Sequence, residues 1–206
     1  MSSYKTVKNE CVFELTEKRS RFIATLIHVE SEEEAAQHIS AFRGRYWDAR
    51  HNVYAYSLAE GNLKRFSDDG EPHGTAGKPV LDVIEGAGLK NVLLIVTRYF
   101  GGVLLGTGGL VRAYSGAAQG VVAAADIKTM TLCREIEIEC DYSLFDSLDN
   151  TLKGIDGGVL GTQFSNNVCT NIYINDATAD AFCERIIDQF CGKVTIKTKN
   201  QKFYPI

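Results

Sequence analysis

The chain of 206 residues is 45% hydrophobic and carries a net charge of −4, which is typical of a folded protein with one large domain or two small ones and excludes a disordered chain. Residues 1–128 contain 15 basic and 15 acidic side chains, whereas residues 129–206 contain 7 and 11. This balance argues against a surface broadly adapted to nucleic acid, so any anion site in the first part must come from a local arrangement of groups.

A first domain is predicted over residues 1–128. Apolar patterns predict strands at Val7–Leu15, Arg21–Val29, His51–Leu58 and Asn91–Thr97, and helices that begin after a Ser31 cap, after a Thr75 cap and at Leu110. The run Asn91–Thr97 is apolar nearly throughout, which is typical of a central strand covered on both faces. The helix Leu110–Ala125 is rich in glycine, alanine and serine, so we expect it to lie unusually close to a sheet.

A second domain is predicted over residues 129–206, where the pattern restarts. Its elements are a strand at Thr131–Cys140, a helix capped by Asp141, a hairpin of Val159–Ser165 and Val168–Ile174, a helix capped by Asp176 and a strand at Val194–Thr198. The order βαββαβ is that of the ferredoxin-like fold. The sequence therefore predicts an α+β protein of two domains.

The sequence also indicates a compartment. The segment MSSYKTVKNE lacks the apolar core of a signal peptide, and the longest apolar run, Val92–Val96, is too short to span a bilayer. We therefore expect a cytoplasmic protein that makes no membrane contact. The six cysteines include no C-x-x-C pair, so we interpret them as free, mostly buried thiols rather than zinc ligands.

The stretch from Ser67 to Ala118 holds 11 of the chain's 19 glycines, most of them in a first block at residues 67–81 and a second block at residues 96–118. Such density indicates a backbone that turns tightly or comes close to another group. The first block is not a P-loop, because Pro72 and Pro79 replace its first glycine and its magnesium-binding hydroxyl residue. The second block is not a dinucleotide-binding fingerprint, because Val111 replaces its third glycine. The segment AYSGA also lacks the pattern of a serine hydrolase elbow.

The second block nevertheless suits an anion. Its candidate residues are Arg98, Gly101, Gly102, Gly106, Thr107, Gly108, Gly109 and Arg112. Exposed N–H groups at a helix start attract phosphate, and the two arginines can add bidentate contacts. The alternative is that the glycines permit close packing while the arginines form ordinary ion pairs. The spacing of these residues favours neither interpretation.

The first block carries the acidic side chains Asp68, Asp69 and Glu71 beside His73. These groups could form a metal site or an acid–base cluster. Carboxylates among glycines and prolines are more often turn formers or helix caps, and the block contains neither a complete ligand set nor a nucleophile, so we favour the structural interpretation. His51, at the start of a strand, is likewise interpreted as a hydrogen-bonded structural residue rather than a base.

Four segments carry a resemblance to a known family. The blocks DDGEPHGTAGKPVL and VTRYFGGVLLGTGGLVRAYS resemble the signature of the YigZ/IMPACT family, DARHNVYAY resembles its Asp-Ala-x-His-Asn segment, and Lys18–Ile23 resembles its opening element. The resemblance extends over the whole chain. It implies an N-terminal domain with a left-handed βαβ fold, similar to domain IV of elongation factor G and to a small-subunit ribosomal protein, followed by a ferredoxin-like domain.

The resemblance also implies a function. Eukaryotic relatives regulate translation by interfering with the activation of a kinase that phosphorylates an initiation factor, a role that needs protein partners and an additional N-terminal domain. We therefore expect non-enzymatic binding of RNA, a ribosome or a translation-associated protein, linked to translation or stress control, with no cofactor or metal. The sequence leaves the oligomeric state open. The alternative is a metal-dependent, peptidase-like hydrolase seated at the acidic loop of Asp68, Asp69 and Glu71.

The candidate surface implied by the resemblance contains the residues of the second block. It runs from Arg98 to Gly102 and from Gly106 to Gly109 and includes Arg112, with His51, Glu71 and Lys78 as its neighbours. His73 lies where the family pattern is loose, which argues against a catalytic role for it.

Overall fold

The computed structural model describes residues 2–206 and divides into two compact units. One unit is Tyr4–Lys128, and the other is Thr129–Ile206 together with Ser2 and Ser3. Both units mix helices with antiparallel strands, so the protein belongs to the α+β class. None of the helices in the described part of the chain combines the length and apolar character needed to cross a membrane.

The N-terminal unit is built on an antiparallel sheet. Strand β1 (Ser3–Val7) precedes this sheet and is not part of it. The strands of the sheet are β2 (Cys11–Glu17), β3 (Ser20–His28), β4 (His51–Ser57), β5 (Lys64–Ser67) and β6 (Val92–Tyr99), and the helices of the unit are α1 (Glu32–Arg45), α2 (Gly77–Gly86) and α3 (Gly106–Ala124). The sheet has the strand order β2-β3-β6-β4-β5. In the pairing of β4 with β6, His51 lies opposite Arg98. This register brings two candidate residues to the same end of the sheet.

Helices cover both faces of this sheet. Leu94 and Val96 of β6 pack in one core with side chains of α2 and α3, whereas Leu93 and Ile95 face a second core with Phe42 of α1. Side chains alternate along a strand, so a strand covered on both faces is apolar at every position. The prediction of a central strand with two buried faces is confirmed.

The small residues of α3 bring it against β2. A Cβ atom added at Gly120 would lie 2.2 Å from the ring of Phe13, and one added at Gly116 would lie 3.4 Å from Leu15. A larger side chain at Gly120 would therefore displace the Phe13 ring or the helix. The predicted close approach of this helix to the sheet is confirmed.

Several predicted boundaries in this unit are wrong. The strand predicted at Val7–Leu15 is interrupted, because β1 ends at Val7 and β2 begins at Cys11. Thr75 does not cap α2, since its hydroxyl donates to the carbonyl of Pro72. Helix α3 begins at Gly106 rather than Leu110, because packing overrides the low helix propensity of its glycine-rich first turn. Strand β5 was not predicted from its short polar sequence.

The C-terminal unit alternates strands with two helices. Its elements are β7 (Ile127–Cys140), α4 (Tyr142–Leu152), β8 (Gly157–Phe164), β9 (Val168–Asn175), α5 (Asp176–Gln189) and β10 (Thr195–Pro205). Strand β7 pairs antiparallel with both β10 and β9, and β9 pairs antiparallel with β8. Their apolar residues form one core with the helices, to which Leu148 of α4 and Ile186 of α5 contribute.

The predicted caps and the last strand of this unit need correction. The side chain of Asp141 makes no capping hydrogen bond to α4 in the structure. Asn175, not Asp176, caps α5 by accepting a hydrogen bond from the N–H of Ala177. Strand β10 continues to Pro205, well beyond Thr198, because pairing with β7 holds a polar segment that shows no apolar alternation.

Candidate functional site

A cavity of 990 Å³ lies at one end of the N-terminal sheet, beside the start of α3. It is lined by residues 48–51, 71–72, 98–100 and 104–107 and by Leu110. The antiparallel pairing of β4 with β6 brings the first of these segments beside the third, and the N–H of Arg50 donates to the carbonyl of Arg98 over 3.0 Å. We call this space the α3 cavity.

Glu71 is the buried centre of the α3 cavity. Its Oε1 accepts a hydrogen bond from the guanidinium of Arg98 at 2.5 Å and another from the Tyr114 hydroxyl at 2.8 Å. Burial, followed by the charge of the Glu71 carboxylate, raises the pKa of Tyr114 far above its ordinary value, so the hydroxyl stays protonated and donates. The two buried charges of Glu71 and Arg98 compensate one another.

Arg98 retains a donor for which no group among the described residues is an acceptor. The residue is 5% exposed, its guanidinium lies 5.4 Å from the centroid of the Phe22 ring and 5.7 Å from that of Phe100, and its Nε has no hydrogen-bond partner among residues 2–206. Leaving a buried donor unpaired costs about 1–3 kcal/mol.

His51 turns one ring nitrogen towards Glu71. Its Nδ1 lies 2.7 Å from the carbonyl oxygen of Asp69, and because a carbonyl can only accept, Nδ1 carries the hydrogen and donates it. In the neutral ring Nε2 is then the acceptor, and it lies 3.8 Å from Oε1 of Glu71. The backbone contact agrees with the predicted structural role of His51, while Nε2 remains able to accept a hydrogen bond.

The start of α3 forms another part of the cavity wall. Gly106 and Thr107 line the cavity, and within the described chain no side chain caps this helix of 19 residues. The first N–H groups of a helix lack partners inside the helix and carry a partial positive charge. This end of α3 therefore favours an anionic group.

Some of the predicted site residues line the α3 cavity, and others do not. His51, Glu71, Arg98, Gly106 and Thr107 all line it. The remaining candidates lie elsewhere: Gly109 and Arg112 line a separate cavity of 180 Å³ that also contains Lys18, and Lys78 is exposed on α2, where it pairs with Asp82. The two arginines consequently do not converge on one phosphate, so that expectation is corrected.

The structure explains three of the predicted glycines by backbone geometry. A Cβ atom at Gly101 would lie 2.0 Å from the carbonyl carbon of Arg19, so a side chain there would clash with the β2–β3 turn. Gly102 has a φ of 82°, in the left-handed region that favours glycine. Gly106 has a φ of 70° in the same region, whereas a Cβ atom at Gly108 would make only an ordinary contact, 3.6 Å from the guanidinium of Arg112. At Gly101 the close-packing interpretation is therefore sufficient.

The acidic loop does not form a metal site. Asp68 accepts hydrogen bonds from the N–H groups of Gly74, Ala76 and Gly77. Asp69 accepts from the N–H of Asn52 and pairs with Arg43, whereas Glu71 points to Arg98. His73 is exposed, and no group of His, Cys, Asp and Glu side chains in residues 2–206 is arranged to hold a metal ion. The side chains of Asp68, Asp69 and Glu71 therefore do not fit a metal ion. The acidic loop does not supply the metal site that the hydrolase alternative requires.

Sequence reasoning missed the apolar wall of the cavity. Tyr99, Phe100 and Leu104 line it, and Phe100 is 48% exposed while Leu104 is 84% exposed. The signal was the apolar segment FGGVLLG, which we interpreted only through its glycines. Tyr114 was also missed, although a tyrosine amid the small residues of a buried helix indicates a polar partner inside the core.

Comparisons with known proteins match both units. The Impact N-terminal domain matches residues 18–122, and a domain of unknown function (DUF1949) matches residues 138–193. The IMPACT family member YvyE of Bacillus subtilis is 35% identical over 198 residues, which are 96% of this chain and 91% of that protein.

The chain belongs to the IMPACT family. Other IMPACT family relatives include YigZ of Escherichia coli, which is 33% identical over 87% of this chain and 89% of its own. The human Protein IMPACT is 33% identical over 45% of this chain and 30% of its own length. A crystal structure described as that of an hypothetical protein superimposes with a TM-score of 0.64 at 31% identity and covers 95% of this chain and 97% of its own. These matches support the two-domain architecture.

Proposed function

We propose that this protein binds RNA through the α3 cavity, without converting it chemically. The observation that carries the proposal is the presence of two kinds of donor in one cavity wall, the nearly buried guanidinium of Arg98 and the N–H groups at the start of α3. A phosphate oxygen accepts hydrogen bonds from both kinds of donor. Arg50, also in the cavity wall, adds a positive charge.

The charge of the cavity predicts a modest electrostatic contribution to binding. Glu71 compensates the charge of Arg98, and Asp48 also lies in the wall, where it accepts a hydrogen bond from Tyr99. The site therefore suits one or two phosphates rather than a long backbone track. For a single strand, the logarithm of the binding constant falls with the logarithm of salt concentration by about 0.7 per phosphate contacted. We expect a slope of about −0.7 to −1.4.

A charge substitution at Thr107 tests the site. Thr107→Glu places a carboxylate in the first turn of α3, where it stabilises the helix by about 0.3–1 kcal/mol but repels phosphate. We expect binding of a fluorescently labelled 12-nucleotide RNA, measured by anisotropy, to weaken at least tenfold while the unfolding midpoint is kept or raised.

Gln119→Glu is the matched control. It adds the same charge to the same helix at an exposed position outside the α3 cavity, and we expect it to leave RNA affinity unchanged. Equal loss of affinity in the two variants would contradict a local site and indicate only general repulsion. Absence of RNA binding by the unmodified protein would contradict the proposal altogether.

We further propose ribosomal RNA as the target that connects the protein to translation. The family resemblance supports this link, and we propose a cytoplasmic location for the protein. Purified ribosomal subunits should co-sediment with the full chain, and Thr107→Glu should reduce the bound fraction. Co-sedimentation that is insensitive to Thr107→Glu would instead indicate a protein contact elsewhere on the chain.

We also infer the finer fold class. The element order βαββαβ and the strand order β10-β7-β9-β8 support a ferredoxin-like description of the C-terminal unit. The similarity of the N-terminal unit to the left-handed βαβ fold of elongation factor G domain IV rests on the family resemblance. Superposition of each unit on those domains tests both descriptions, and a different connection order or hand would contradict them.

A further inference from the structure

We infer that the α3 cavity takes one unpaired nucleotide of a single-stranded RNA, with its phosphate at Arg98 and its base against Phe100. This inference rests on the proposed function and goes further, because it names the form of RNA that the cavity admits. Two observations carry it: the depth of the Arg98 donor and the apolar wall beside it.

The depth of Arg98 restricts what can reach it. The residue is 5% exposed and lies within the wall of a 990 Å³ cavity, so a phosphate can approach its guanidinium only by entering the cavity. The phosphates of a duplex stay on a wide, stiff helix, and proteins contact them across the surface of its grooves. A single strand can turn one phosphate inward. The buried donor therefore favours single-stranded RNA over a duplex.

The apolar wall supplies a surface for the base. Phe100 is 48% exposed beside Arg98, and Leu104 is exposed at the same wall. Single-stranded RNA is commonly recognised by stacking unpaired bases on aromatic rings near cationic groups. A paired base is stacked on its neighbours within the duplex and cannot occupy this wall without leaving the pair. An inserted nucleotide would cover the ring and place its phosphate near the start of α3.

The first test compares two forms of one RNA. A labelled 12-nucleotide RNA is titrated with the full chain, both alone and annealed to its complement. We expect the duplex to bind at least tenfold more weakly than the single strand. Equal affinities would overturn the inference but leave the proposed RNA binding in place, whereas no binding of either form would overturn the proposed function itself.

The second test removes the ring. Phe100→Ala should weaken binding of the single strand about tenfold, within the range known for base–aromatic stacking, and should leave binding of the duplex unchanged. Phe66→Ala is the matched control, since Phe66 is 40% exposed on β5 of the same unit and lies outside the cavity. Unchanged single-strand affinity in Phe100→Ala would overturn the inference.

A third variant covers the case in which Phe100→Ala fails to fold. Phe100→Leu keeps an apolar side chain in the wall but removes the aromatic face. We expect it to retain the unfolding midpoint of the unmodified protein and to lose most of the preference for single strands. Full retention of that preference in Phe100→Leu would contradict base stacking at this position.

Discussion

Glu71 is the residue whose carboxylate links the polar side chains of the α3 cavity. It accepts hydrogen bonds from Arg98 and Tyr114, and Nε2 of His51 lies 3.8 Å away. Glu71 and Arg98 are both buried, so each charge depends on the other for compensation. The cluster fixes the Arg98 guanidinium while leaving its Nε unpartnered among the described residues.

Substitutions at Glu71 and Tyr114 should differ in cost. Glu71→Ala leaves the charge of Arg98 buried and uncompensated, and we expect it to lower the free energy of unfolding by about 3–5 kcal/mol. Tyr114→Phe removes one hydrogen bond and should cost about 1–2 kcal/mol. Urea denaturation of both variants measures these values. Similar small losses in both would contradict a buried ion pair.

At the scale of elements, α2 depends on a distant carboxylate rather than on a neighbouring cap. Asp68 accepts hydrogen bonds from the N–H groups of Ala76 and Gly77 at the start of α2 and from Gly74 in the preceding loop. The acidic loop therefore satisfies backbone donors that would otherwise lack partners. Its role in the fold accounts for Asp68 without any catalytic function.

Removal of this cap should destabilise the N-terminal unit. We expect Asp68→Ala to lower the free energy of unfolding by about 1–2 kcal/mol, because several N–H groups lose one acceptor. His73→Ala changes a fully exposed neighbour and should stay within about 0.5 kcal/mol of the unmodified protein. Thermal unfolding monitored by circular dichroism compares the two. An equal effect of both substitutions would contradict the capping role.

The sequence predicted elements well where periodicity carries the information. The continuous apolar run of β6 has that pattern because two cores need it, and the small residues of α3 reflect its approach to β2. Boundaries set by contacts distant in sequence were missed. The Asp68 cap of α2 and the pairing that extends β10 to Pro205 depend on residues that only the fold brings together.

The sequence predicted several residues of the candidate site, but it could not show which of them line the same cavity. The motif residues His51, Glu71, Arg98 and Thr107 do line one cavity. Spacing along the chain could not separate Arg98 from Arg112, which lie on β6 and α3 and line different cavities. It also could not show that Gly101 is required by contact with the Arg19 backbone.

At the scale of the whole molecule, the acidic C-terminal unit is compensated by local pairs. Lys199 and Lys197 on β10 hold the pKa of Glu137 on β7 below its ordinary value of 4.5. Hydrogen bonding from Gln201, and then from Arg134, likewise lowers the pKa of Asp176 below 3.8. The basic residues of the last strand therefore serve this unit itself.

These pairs predict a loss of stability in acid. A lowered pKa in the folded state stabilises the protein above the unfolded-state pKa, and that contribution is lost as pH falls through the folded-state values, here below about 4. Amide hydrogen exchange in β7 and β10 should accelerate between pH 5 and pH 2, after correction for intrinsic rates. Glu137→Gln should reduce this dependence, and an identical pH profile would contradict it.

The two units differ in charge, and this difference affects where we expect RNA to bind. Residues 1–128 balance 15 basic against 15 acidic side chains, whereas residues 129–206 hold 7 against 11. An acidic unit repels a polyanion, so binding should be confined to the N-terminal unit, where the α3 cavity lies.

Amide chemical shifts of the full chain, recorded during titration with a 12-nucleotide single-stranded RNA, test whether RNA binds at the α3 cavity of the N-terminal unit. We expect the largest changes at Arg98, Phe100, Gly106 and Thr107, with residues 129–206 nearly unaffected. Shifts that avoid the α3 cavity, or that concentrate in the C-terminal unit, would contradict the account.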